Sequence, residues 1–173
     1  MRKNLVLLGM MGVGKSTIGK IVAKKRDMKF IDTDLNIEKK KSMKISEIFE
    51  KKGERFFRTE ERKEVLKSLK ESNSVIALGG GAFIDKTIRD NILENAISIW
   101  LEVNLKDLNK RIKWNKKRPL LNAENTQAKI NKLYAERKNI YKLAKYKIDC
   151  NSLSKENIVN KIILFYEKQK IDC

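Results

Sequence analysis

The chain has 173 residues, 41% of them hydrophobic and 36% charged, with 40 Lys+Arg against 22 Asp+Glu for a formal charge of +18. That length suits one continuous domain, residues 1–173, able to bury about 70% of the surface its unfolded chain exposes, and no apolar stretch approaches membrane-spanning length. Two cysteines, Cys150 and Cys173, are too few for a disulfide framework or a zinc site, and with no histidine every mechanism that needs an imidazole base is excluded.

The apolar run Leu5 to Leu8 reads as a buried parallel strand, and Thr17 to Lys25 carries Ile18, Ile21 and Val22 at helical spacing. Between them lies Gly9-Met10-Met11-Gly12-Val13-Gly14-Lys15-Ser16, a complete phosphate-binding loop in the strand-to-helix context it requires. Gly12 and Gly14 let the backbone curl so that successive amides form an anion nest over the positive end of the helix. Lys15 is placed to reach the β- and γ-phosphates of a nucleotide, and the Ser16 hydroxyl to meet magnesium.

Phe30 to Ile31 is the next apolar run, and Asp32-Thr33-Asp34 follows it at the carboxyl end of a strand, where open α/β sheets bind ligands. One acid could serve magnesium and the other a substrate hydroxyl, or Asp34 could cap a helix over residues 36–41. On the helix after Gly53, Glu61 stands at i+3 from Arg58 and could hold its guanidinium for bidentate capture of a carboxylate, or the two could form an exposed surface pair.

A third strand, Val75 to Leu78, leads into Gly79-Gly80-Gly81-Ala82, a second glycine cluster that permits close approach by a ligand or makes a plain turn. Ile97 to Leu101 and Tyr146 to Ile148 complete an alternating α/β pattern with a parallel sheet. The lysine-rich stretch from Asn115 to Asn125 lacks periodicity and contains Arg118-Pro119-Leu120-Leu121; such a loop could close over phosphates. Arg111 and Arg118, on either side of it, would suit a nucleotide base and its phosphates. The helix expected from Thr126 to Tyr146 puts Arg137 in the same stripe as Ile130, Leu133, Tyr134, Ile140, Tyr141 and Ala144. An inward guanidinium must meet a protein carboxylate or an anionic ligand.

The basic residues are spread from end to end and mixed with acids, as in Glu60 to Lys70, without an interleaved array of stacking aromatics. They read as solvent-facing lysines, so neither a nucleic-acid nor a membrane partner is expected. The N-terminus enters a core strand within a few residues, leaving no room for a signal peptide, and a cytoplasmic monomer is expected.

Taken together, the phosphate loop, Asp32-Thr33-Asp34, Gly53-Glu54 with Phe57-Arg58, Gly79-Gly80-Gly81, Arg118-Pro119-Leu120-Leu121, and Arg137 with Tyr141 resemble the shikimate kinases in order and spacing across nearly the whole chain. The resemblance implies a P-loop kinase fold: a five-stranded parallel sheet in the order 2-3-1-4-5 flanked by helices, with a shikimate-binding helical segment at about 33–62 and a lid at about 113–125. It implies ATP-dependent, magnesium-dependent phosphorylation of the 3-hydroxyl of shikimate, a step of chorismate and aromatic amino-acid biosynthesis.

Residue by residue, the likeness puts ATP on Gly12, Val13, Gly14, Lys15, Ser16, Thr17, Arg111 and Arg118, and magnesium on Ser16 and Asp32. It puts the acceptor on Asp34, Arg58, Gly80, Gly81 and Arg137, with Asp34, Lys15 and Arg118 as the catalytic set. The chain departs from the family at lysine-rich Trp114 to Lys117, at Asn139, where a proline is usual, and in a proline-free loop after Asp149. Alternatives are another small-molecule P-loop kinase, of gluconate or nucleotide type, and a nucleic-acid-binding NTPase. A GTPase would carry an Asn-Lys-x-Asp motif, and none is present.

Overall fold

The computed structural model of the chain describes residues 3–113 and 126–171. Five apolar runs form the strands β1 (Asn4–Leu8), β2 (Lys29–Asp32), β3 (Ser74–Ala77), β4 (Ala96–Glu102) and β5 (Tyr146–Asp149). They make one parallel sheet in the order β2-β3-β1-β4-β5, as the resemblance implies. Parallel neighbours need long crossovers, and helices supply them: α1 (Lys15–Arg26), α2 (Thr33–Lys41), α3 (Ile45–Leu69), α4 (Lys86–Asn95), α5 (Leu105–Lys113), α6 (Thr126–Tyr141) and α7 (Lys155–Ile171). Every residue of β1 and β3 is buried, which is why these strands read as unbroken apolar runs rather than alternating ones. No described helix is long and apolar enough to cross a membrane.

Register decides where the chemistry can sit. Asp32 lies level with Ala77, and Ala77 with Leu7, so β1, β2 and β3 end together. The phosphate loop, the Asp32-Thr33-Asp34 turn and the glycine triplet therefore leave the sheet at one edge, the carboxyl edge at which ligands bind in this architecture.

A small apolar cluster of Ile37, Ile48 and Phe57, backed by Met43, Ile45, Phe49 and Phe56, lies apart from the main core and joins α2 to α3. An electrostatic knot reinforces it. Glu60, with a side chain only 8% exposed, meets Lys41 at 2.7 Å, Lys63 at 3.1 Å and Lys40 at 3.5 Å. The hydrogen bond from Lys41 leads in holding its carboxyl down to about 2, against the opposing effect of burial.

Two sequence expectations change. The helix expected to reach Tyr146 ends at Tyr141, where tight turns close from Leu143 N to Ile140 O and from Ala144 N to Tyr141 O. Lys145 N then donates to Ser98 Oγ, and Tyr146 pairs in register with Ile99, so sheet pairing prevails over the continuing apolar period. The helix expected over residues 36–41 begins at Thr33, and its cap is Asp32 rather than Asp34: Asp32 Oδ1 accepts from Leu35 N at 3.2 Å. The expected loop 115–125, with Arg118 and all of the expected lid but Lys113, lies outside the described residues.

Candidate active site

The phosphate loop runs from β1 into α1 with Gly14 as the helix N-cap at φ 101, a left-handed conformation that only glycine adopts without strain. Among the described residues no side chain caps this N-terminus and no acid lies in its first turn, which leaves its amides suited to an anion. Lys15 is buried and lays its ammonium across its own loop, donating to Gly9 O at 2.8 Å and Met10 O at 2.9 Å. Ser16 Oγ donates to Asp32 Oδ2 at 2.5 Å. With its other oxygen capping α2, Asp32 is fixed in place with a carboxylate oxygen beside the hydroxyl. Arg111 reaches the loop too, its Nη1 donating to Val13 O at 3.4 Å.

The second half of the site gathers around the glycine triplet. Thr33 Oγ1 accepts from Gly79 N at 3.1 Å and donates to Ala77 O at 3.3 Å, tying the triplet to the start of α2. Gly79 is hemmed by carboxylates: a Cβ there would lie 2.5 Å from Asp34 Oδ1 and 2.8 Å from Glu61 Oε1. Gly80 O accepts from Arg137 Nη1 at 3.1 Å and also from the Tyr141 hydroxyl. Because a trans peptide points its carbonyl and the following amide in opposite directions, this double grip fixes the orientation of the Gly81 N–H. A Cβ at Gly81 would fall 2.5 Å from Arg58 Nη1, so any larger residue there would push the guanidinium out of its place.

Arg58 is held from both ends. Its Nη1 donates to Glu61 Oε2 at 2.8 Å, while Nε and Nη2 share Glu54 Oε1 at 3.2 and 3.1 Å. Burial lowers the pKa of the guanidinium, but Glu61 and Glu54 more than offset that and leave it raised. Burial pushes the Glu61 carboxyl up, with Arg58 and then Arg137 pulling it back. Both groups therefore end up raised, Arg58 by its carboxylate partners and Glu61 by a burial that its arginine partners only partly offset. Glu61 Oε1 is buried without a hydrogen-bond partner among the described residues.

Arg58, Gly81 and Arg137 line one cavity of about 390 Å³ together with the acids Glu54, Asp85 and Glu136. Among the described residues no carboxylate forms a salt bridge with Arg137, whose recorded hydrogen bond goes to a carbonyl. Of the two partners open to this arginine in the sequence, the internal ion pair is not formed among the described residues. Two cations thus face a concave space with a buried carboxylate behind them, an arrangement suited to an anionic group bearing planar oxygens.

The phosphate loop, Asp32, Asp34, Arg58, Gly80, Gly81, Arg111 and Arg137 all come together, and Arg118 alone of the expected set lies outside the described residues. Sequence reasoning passed over Thr33 and the hydroxyl of Tyr141 as tethers of the triplet, although both stand inside motifs already singled out. It also passed over Arg62, whose Nη2 meets Asp85 Oδ2 at 2.5 Å and ties α3 to the start of α4. Nothing in the sequence brings Arg62 and Asp85 together, since they lie far apart along the chain.

Comparison with known proteins agrees with this geometry. The shikimate kinase family model matches residues 11–167. The chain is 41% identical over 161 residues to the shikimate kinase of Sulfurihydrogenibium sp. (strain YO3AOP1), covering 93% of this chain and 96% of that one. It is 39% identical over 168 residues to the enzyme of Caldanaerobacter subterraneus subsp. tengcongensis, covering 97% and 98%. Its fold superposes with a TM-score of 0.91 on shikimate kinase from Acinetobacter baumannii in complex with shikimate, at 32% identity and with 97% and 94% of the two chains covered. By family model, by sequence relatives and by fold, the chain belongs to the shikimate kinase family.

Proposed function

We propose that this protein, a cytoplasmic monomer, transfers the γ-phosphoryl group of ATP to the 3-hydroxyl of shikimate, giving shikimate 3-phosphate and ADP. The observation that carries this reading is the meeting, at one sheet edge, of a phosphate loop and a cavity with two arginines. The first suits a nucleoside triphosphate, and the second suits an acceptor that bears a carboxylate. Glycine backbone between them lets the two substrates approach closely.

In this reading the amides of Gly12 to Thr17 bind the phosphates, and Lys15 leaves its two loop carbonyls for the β- and γ-phosphates. Arg111, hydrogen-bonded to the loop, lies toward the nucleotide base. Ser16 and Asp32 offer a hydroxyl and a carboxylate oxygen side by side, a hard oxygen-donor set that fits magnesium. Magnesium supplied with ATP would neutralise charge on the β- and γ-phosphates. Residues 33–62 form the acceptor-binding segment, and Arg118, outside the described residues, is assigned to the transferring phosphoryl group.

Arg58 and Arg137 hold the shikimate carboxylate, while Gly80 and Gly81 approach it with backbone. Asp34 orients the 3-hydroxyl and takes its proton as that oxygen attacks the γ-phosphorus. The bond to the β-phosphate oxygen then breaks and ADP departs. Positioning and charge neutralisation supply most of the acceleration, because phosphoryl transfer asks for little covalent chemistry from the protein.

The test is ADP release by purified protein with Mg-ATP and saturating shikimate, quinate, gluconate or nucleoside monophosphates. Strong turnover with shikimate and little with the others is the expected result. Turnover of a different acceptor in place of shikimate would retain the phosphate-loop chemistry and overturn the acceptor and the arginine roles.

A further inference from the structure

Glu54 has a placement that acceptor binding alone does not call for. The break in α3 at Gly53, with φ 82 and ψ 166, makes Glu54 the opening residue of the second helical stretch, where a carboxylate meets the positive end of a helix. Arg58 follows at i+4, in the favoured order of acid before base. Glu54 Oε1 accepts from both Nε and Nη2, at 3.2 and 3.1 Å. That is a fork a bound carboxylate would use.

Gly81 and the Phe57 ring also lie close to the guanidinium. A Cβ on Gly81 would lie 3.0 Å from both Cζ and Nη2, and the Phe57 ring centroid is 5.3 Å from Cζ. Within the guanidinium plane Glu61 holds Nη1 and Glu54 holds the Nε/Nη2 fork, so an anion that takes this fork meets a carboxylate already in place. The two grips differ in permanence, because the Glu61 side chain is 2% exposed and that of Glu54 is 64% exposed. Breaking a buried ion pair is costly, whereas an exposed one contributes little. Glu54 is the partner that can be displaced.

We propose that Glu54 is an internal competitor for the acceptor's carboxylate, holding the Nε/Nη2 fork of Arg58 in the free protein and releasing it when the acceptor binds. The inference rests on the assignment of that carboxylate to Arg58 and Arg137. Displacement subtracts the same amount from every carboxylate that uses the fork. A ligand with further contacts to Arg137 and Asp34 still binds, while a bare carboxylate is left with little net affinity. Free Arg58 meanwhile stays charge-compensated and pre-aimed.

The experiment is calorimetric titration of shikimate, without nucleotide, into the parent chain and the Glu54→Gln and Glu54→Ala variants, with thermal melts to confirm folding. A parallel titration uses cyclohexanecarboxylate as the bare carboxylate. Both variants are expected to bind shikimate about two- to fivefold more tightly, the worth of an exposed ion pair. Cyclohexanecarboxylate should gain by the same factor, because the displaced contact is the same. Unchanged or weaker shikimate binding in both folded variants would overturn the proposal, leaving Glu54 as a residue that merely positions Arg58 beside the ligand. An Arg58→Lys variant separates this from failure of the underlying assignment. Loss of shikimate affinity by about tenfold or more there, as expected for a bidentate site, keeps the carboxylate on Arg58, so that the Glu54 result stands on its own. Undiminished affinity removes the carboxylate from Arg58 and the proposal with it.

Discussion

On its nucleotide side the site is almost one continuous piece of chain, whereas the acceptor side is assembled from four. Gly9 to Ser16 supply the phosphate loop, and Asp32 adds a single carboxylate at 2.5 Å from Ser16 Oγ. The acceptor side takes Asp34 from α2, Arg58 and Glu61 from α3, the triplet from the end of β3, and Arg137 and Tyr141 from α6. A contiguous loop takes its shape chiefly from its own backbone angles, with Arg111 reaching in only as far as Val13 O. An assembled cavity takes its shape from tertiary contacts, so residues remote from the substrate can tune it. The two halves should therefore respond differently to substitution.

The largest effects are expected where a single group meets charge that develops during transfer. Lys15→Ala should lower kcat by about a thousandfold or more, and Asp34→Asn by about a hundred- to ten-thousandfold, with unchanged circular dichroism. A folded Asp34→Asn variant that retains full turnover would remove this residue as the base. Arg137→Ala should act on the acceptor side alone, costing about 2–5 kcal/mol of shikimate binding and leaving the KM for ATP near its parent value. Equal losses for both substrates would break the division between the halves.

How far each half could be read from sequence follows the same division. The phosphate loop was legible because its function depends on consecutive residues, and the sheet order followed from the family resemblance once the alternating pattern was placed. Arg137 was legible as an inward charge, but not its partner, since only the fold brings Gly80 O to it. The Asp32 cap was missed because either acid of Asp32-Thr33-Asp34 suits an N-cap by composition, and only backbone geometry chooses between them. The overrun of α6 to Tyr146 arose because its apolar period continues into β5, where pairing with β4 takes over.

A subtler test concerns the packing of α2 on α3. The Glu60 carboxyl is held near 2 against an ordinary 4.5. A carboxyl lowered by folding stabilises the native state fully above its unfolded value, and that contribution fades as pH falls from about 4.5 through about 2. Glu60→Gln should therefore cost about 1–2 kcal/mol at pH 7, discounted because two of the three lysine partners, Lys40 and Lys63, are largely exposed. It should also flatten the acid limb of the stability curve. Thermal melts of both proteins between pH 7 and pH 2 check this, and parallel curves would remove Glu60 from the acid response.

The smallest expected effect falls where the two halves touch. Gly80 packs so closely on the phosphate loop that a Cβ would lie 3.2 Å from Met11 N. The Tyr141 hydroxyl bridges the same junction, donating to Gly80 O and lying 3.7 Å from Met10 Sδ. Burial raises the pKa of this phenol, so it remains a protonated donor throughout the neutral range. Tyr141→Phe keeps the ring and its 5.9 Å packing on Trp100, but leaves Gly80 O to Arg137 alone. Stability should fall by about 1 kcal/mol, the net worth of one buried hydrogen bond. If the hydroxyl also sets the direction of the Gly81 N–H, the KM for shikimate should rise severalfold while the KM for ATP stays level. A change confined to melting temperature would leave Tyr141 as packing only and make Arg137 sufficient to hold the triplet.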